Sequence, residues 1–166
     1  MSKSQTKNKT ARGNSAQFFV AGELCRRGHS AVVTLGNTPN TDILCSNEEG
    51  TRFVHVQVKT YVPGNRTVTV GLKAEKNFGE YFIWVLAGIP SSESDTPFEY
   101  YIVPSRLVAE NVSESHRRWL DDAEALGKSR KDNPVRVISI PPAVCYNGWG
   151  IEQFKNRWDL IDDLLS

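Results

Sequence analysis

Only three cysteines occur in the 166 residues, Cys25, Cys45 and Cys145, and none stands in a short C-x-x-C spacing. An odd, scattered set excludes a disulfide framework and a thiolate zinc site, and it suits a reducing cytoplasm. No apolar run approaches the roughly 20 residues that a membrane helix needs, so no membrane partner is expected. The opening residues MSKSQTKNKT lack the apolar stretch of a secretory signal. Strong net charge is missing too: the balance is +1 with a sequence pI near 7.7. Repeats and low-complexity blocks are absent beyond the polar start.

What charge there is lies unevenly. Lys3, Lys7, Lys9 and Arg12 precede the first acidic residue, Glu23, which leaves a body of about −3. Residues 1–13 therefore read as a flexible basic leader able to add phosphate contacts, and residues 14–166 as one domain. A 39% share of hydrophobic residues is enough for a single core without covalent staples.

Periodicity sets the order of elements. Phe18, Phe19, Ala21, Gly22 and Cys25 recur at helical spacing from about Asn14, and Gly28 closes that helix. A strand at 31–35 follows, then a hairpin with strands at 41–45 and 52–60 joined by Ser46-Asn47-Glu48-Glu49-Gly50. Further strands are expected at 67–72, 81–87 and 98–103, the run 81–87 being apolar enough for burial on both faces. Pro104 and Ser105 open a short helix, an amphipathic helix spans 113–126, a strand covers 135–140, and a helix over 151–165 closes the chain. This α/β order predicts a central mixed sheet with helices on both faces.

The second hairpin strand is the most informative stretch. Val54, Val56 and Val58 alternate with Phe53, His55, Gln57 and Lys59, so a valine face packs on a core while the opposite face carries an amide and an ammonium together. Antiparallel pairing places the start of the first hairpin strand beside the end of the second. Asp42, Gln57 and Lys59 should therefore cluster. Glu23 would join them if the first helix packed across this end of the sheet. Such a set suits phosphodiester hydrolysis assisted by Mg²⁺ or Mn²⁺: Asp42 as anionic anchor, Gln57 as neutral oxygen ligand, and Lys59 to orient water and stabilise negative charge. Asp42 alone would be an ordinary turn residue, and His55, His29 and His116 read as packing or surface groups. Lys73 and Lys76 could reach a nucleic-acid backbone, although a solvated pair is the simpler account.

The segment Pro39-Asn40-Thr41-Asp42, a hairpin turn, and then Val56-Gln57-Val58-Lys59-Thr60 resembles the PD-(D/E)XK nuclease superfamily, in the branch with Gln-x-Lys and a helical glutamate, here Glu23 in Ala21-Gly22-Glu23-Leu24. The resemblance covers roughly residues 14–105. It implies a restriction-endonuclease-like three-layer core, Mg²⁺ or Mn²⁺ held by Asp42, Gln57 and Glu23, and cleavage of nucleic acid as a class with no particular substrate, DNA being the partner expected here. Two features depart from the pattern: Gln57 replaces an acidic residue, and two residues separate Pro39 from Asp42. The alternative is a catalytically silent module that binds nucleic acid or a partner protein. Cutting both strands of a duplex calls for two sites, which a homodimer supplies.

Overall fold

The computed structural model describes residues 9–36 and 38–166. Most of the expected leader, with Lys3 and Lys7, lies outside them. Helix α1 (Lys9–Arg26) begins five residues before the expected start. Ala11 and Arg12 are good helix formers, and they outweigh the weak Gly13-Asn14 pair that suggested a boundary. Gly28, at a φ of 92°, ends the helix, and its N–H donates to the Cys25 carbonyl at 2.9 Å.

Strands β1 (Ser30–Val33), β2 (Ile43–Ser46) and β3 (Phe53–Tyr61) form an antiparallel meander. After β3 the chain makes strand β4 (Thr67–Thr69) and a 3₁₀ turn, Leu72–Glu75, before β5 (Phe82–Gly88) runs parallel to β3. Strand β6 (Glu99–Pro104) is antiparallel to β5, giving a five-stranded mixed sheet in the order β1-β2-β3-β5-β6. Every residue of β5 is buried, as its apolar run requires. Gly88 closes it beside Tyr61, where a Cβ would come within 2.8 Å of the tyrosine ring.

Helix α2 (Ser105–Ala125) is continuous, where two helical segments were expected; no glycine or proline interrupts 105–125. Strand β7 (Val137–Ser139) pairs with β4 in a separate two-stranded sheet. The expected closing helix is broken into a 3₁₀ turn, Glu152–Phe154, and helix α3 (Asp159–Leu165). Asn156, at a φ of 54°, makes the break, and its N–H donates to the Tyr100 carbonyl on β6. Among the described residues no helix is long and apolar enough to cross a membrane.

The two faces of the sheet are covered unequally. Ala16, Val20, Ala21 and Leu24 of α1, with Trp158, Ile161 and Leu165 at α3, pack on Ile43, Cys45, Val54, Val56, Val58, Ile83 and Val85. Each such buried valine or leucine side chain contributes about 1.5–3 kcal/mol. On the other face, Val108 and Val112 of α2 pack against Trp84, Leu86, Tyr101 and Val103 of β5 and β6. That cover stops short of the meander: Val32 and Phe53 remain 63% and 45% exposed, and His55 is exposed beside them.

Candidate active site

Strands β2 and β3 stay in register as far as Ile43 opposite Val56. Beyond that pair they separate, and Asp42 stands in the opening. Its backbone is fixed on both sides, the N–H donating to the Val56 carbonyl at 2.9 Å and the carbonyl accepting the Thr34 N–H at 2.9 Å. Its side chain then takes the place of the missing ladder partner: Oδ2 accepts the Val58 N–H at 2.8 Å and a short hydrogen bond from Gln57 Nε2. The site thus grows from a local need, a strand donor without a strand acceptor.

Alternation along β3 decides which side chains meet Asp42. Val54, Val56 and Val58 enter the α1 core, so Gln57 and Lys59 point to the opposite face, over which Ile43's neighbour Asp42 also projects. Gln57 is buried and Lys59 half-buried. Thr41 Oγ1 lies 3.0 Å from His55 Nδ1, tying the residue before Asp42 to the same strand. His55 is thereby a supporting contact.

Burial pushes the Asp42 carboxyl above the ordinary carboxylate range; the Val58 N–H and the charges of Lys59 and Lys73 pull against it. Lys73, on the 3₁₀ turn between β4 and β5, is thus a second ammonium in the field of Asp42. Lys73 is itself exposed, in keeping with the solvated role the sequence favoured, and acts on Asp42 only through its charge. Asp42 Oδ1 and Gln57 Oε1 accept no hydrogen bond among the described residues, and the amide presents its nitrogen, not its oxygen, to Asp42.

Glu23 is not brought to this group. Helix α1 lies on the valine face, the opposite side of the sheet from Gln57 and Lys59. The Glu23 carboxylate is bound by Arg26 at 2.7 Å and Arg27 at 2.9 Å, and Arg27 continues to Asp162 at 3.2 Å. Those arginines hold it below the ordinary carboxylate range. The expectation failed because helix packing side could not be read from the helix alone. Among the described residues no group of three His, Cys, Asp or Glu side chains is placed to hold a metal ion.

Ion pairing divides the surface. The salt bridges engage Arg26, Arg27, Arg106, Arg118, Arg136, Lys155 and Arg157, while Lys9, Arg12, Lys59, Arg66 and Lys73 form none among the described residues. Lys59 and Lys73 act on Asp42, and Lys9 and Arg12 sit beside Thr60, the residue after Lys59. Four cations without a salt bridge thus lie around the Asp42 end of the sheet, while Arg52, Lys76, Arg117, Lys128, Arg130 and Lys131, also outside any salt bridge among the described residues, lie elsewhere on the chain.

No protein-family profile and no curated protein matches the sequence. Among solved structures, the bacterial homing endonuclease I-Ssp6803I is similar, with a TM-score of 0.54 and 16% identity over 94% of this chain and 93% of that one. The likeness spans both faces of the sheet and nearly the whole described chain, so the fold is that of an endonuclease of known structure.

Proposed function

We propose that this chain is a metal-dependent DNA endonuclease of the PD-(D/E)XK kind, with Asp42, Gln57 and Lys59 as its working residues. The observation that carries the reading is the convergence of a half-buried carboxylate, a buried carboxamide and an unpaired ammonium where β2 and β3 part. The fold shared with a homing endonuclease supports the same class of reaction. The donor set fits Mg²⁺ or Mn²⁺: Asp42 Oδ1 and Gln57 Oε1 are hard oxygens, and Mg²⁺ commonly uses one or two carboxylates with water and phosphate in the remaining positions. When bound, such an ion neutralises phosphate charge and makes hydroxide available near neutral pH.

The chain's own groups do the rest. Asp42, pinned by the Val58 N–H, presents a fixed carboxylate oxygen. Lys59, one strand repeat from Gln57 on the same face, holds the attacking water and stabilises the charge that builds on the phosphoryl oxygens. The water oxygen bonds to phosphorus, one P–O ester bond breaks, and the leaving oxygen takes up a proton. Incubation with supercoiled, linear and branched DNA in Mg²⁺ or Mn²⁺ is expected to give cleavage, and Lys59→Ala to lower it by about 10²–10³-fold with the fold intact. Absence of cleavage on all three substrates, with metal bound, overturns the reading. Sedimentation of the protein with and without duplex tests whether two copies act together.

The single carboxylate of the site favours one other reading, a nuclease-like module that binds DNA without cutting it. Salt-sensitive DNA binding unchanged by divalent metal or by chelator is its signature.

A further inference from the structure

A cavity of about 270 Å³ lies one residue beyond Lys59, between the first turns of α1 and the β3–β4 connection. Its polar lining consists of Lys9, Arg12, Thr60, Asn65, Thr67 and Thr69, over Tyr61, Val62 and Val68. No acidic residue is among them. Neither Lys9 nor Arg12 is neutralised by an ion pair among the described residues. The Thr60 hydroxyl is buried and has no hydrogen-bond partner there, an unfavourable state for a polar group removed from water. Two free cations, three hydroxyls and an amide, with no carboxylate to satisfy them, make a receptor for an anion.

We infer that this cavity holds a backbone phosphate of the DNA strand next to the one presented to Asp42. The inference rests on DNA being the partner, as proposed above, and it adds a contact outside the reacting centre. Phosphate supplies what the lining lacks, a compact, fully ionised group with several acceptor oxygens that hydroxyl, amide and guanidinium donors share. A neighbouring phosphate is the natural source because Thr60 and Lys59 are consecutive on β3, on opposite faces of the strand at the same end of the sheet. The contact would set the register of the strand and carry no sequence information.

Duplex binding measured without divalent metal across a salt series tests it. The Lys9→Ala/Arg12→Ala double variant is expected to bind at least about tenfold more weakly at low salt, with a salt slope shallower by about 1–2. Thr60→Val is expected to weaken binding severalfold and to leave thermal stability unchanged or raised, since it removes the unpartnered hydroxyl. Wild-type affinity and slope in both variants overturn the proposal, as does a wild-type chain that binds inorganic phosphate here but no duplex. Loss of the catalytic reading shows separately: DNA bound with the expected salt slopes but uncut in Mg²⁺ and Mn²⁺ removes the endonuclease and leaves the phosphate contact standing.

Discussion

Asp42 serves two masters, the backbone of β3 and the chemistry proposed for it, and burial sets the terms of both. Its carboxyl is raised above the ordinary range chiefly by desolvation, so the folded state keeps the proton to higher pH than the unfolded chain does. Stability attributable to this group therefore falls as pH rises from the ordinary carboxylate range through the raised value, and the loss is complete above it. Asp42→Asn removes that penalty and keeps an acceptor for the Val58 N–H. Its melting temperature is expected to exceed the wild type's at pH 7, with the difference fading on acidification, as scanning calorimetry over a pH series will show. The same substitution should abolish cleavage. Gln57→Glu works in the opposite sense: a second carboxylate beside Asp42 is expected to raise Mg²⁺ affinity at least about tenfold by titration calorimetry and to lower the stability of the metal-free protein. Asp42, Gln57 and Lys59 were legible as a set because period-two alternation and hairpin pairing are local rules. Glu23 was misjudged because the side of the sheet on which α1 packs depends on where the other helices go.

At the scale of elements, the crossover between β3 and β5 is unusual in holding a strand and a 3₁₀ turn where parallel strands are ordinarily linked by a helix. What fixes the turn is a pair far apart in sequence: Arg136, 5% exposed just before β7, makes a short ion pair with Glu75 and a weaker one with Asp132 at 3.6 Å. The β4–β7 pairing and this ion pair together anchor the turn that carries Lys73, whose charge is felt at Asp42. Glu75→Ala leaves the buried guanidinium short of a partner and is expected to cost about 2–3 kcal/mol, since Asp132 and two carbonyls remain. A lower melting temperature together with weaker DNA binding is the expected result, and stability loss with unchanged binding would separate the turn from the site. None of this was visible in sequence, where 135–140 read as a short strand with no partner assigned. The buried strand β5 was legible for the contrary reason: a run apolar on both faces has one place to go.

For the whole molecule, charge and coverage are both lopsided. Salt bridges tie up the arginines of the α1–α3 side, while Lys9, Arg12, Lys59 and Lys73 stand without one around the Asp42 end of the sheet. A chain whose net charge is only +1 can in this way present a locally basic surface to a polyanion, which the overall pI conceals. Coverage follows a similar division, with α2 lying over β5 and β6 and the meander left bare at Val32, Phe53 and His55. The four tryptophans sit elsewhere: Trp84 is buried against the α2 layer, Trp119 is on α2, Trp149 lies against Phe154, and Trp158 lies under α3. Intrinsic fluorescence therefore reads the site through Trp84, which stands opposite Gln57 on β5, while the outer strands β1 and β2 carry no tryptophan. Phe53→Trp places an emitter on the open floor of the meander, and its spectrum is expected to shift when duplex settles across the strands that carry Gln57 and Lys59, adding a direct readout of occupancy from the uncovered side.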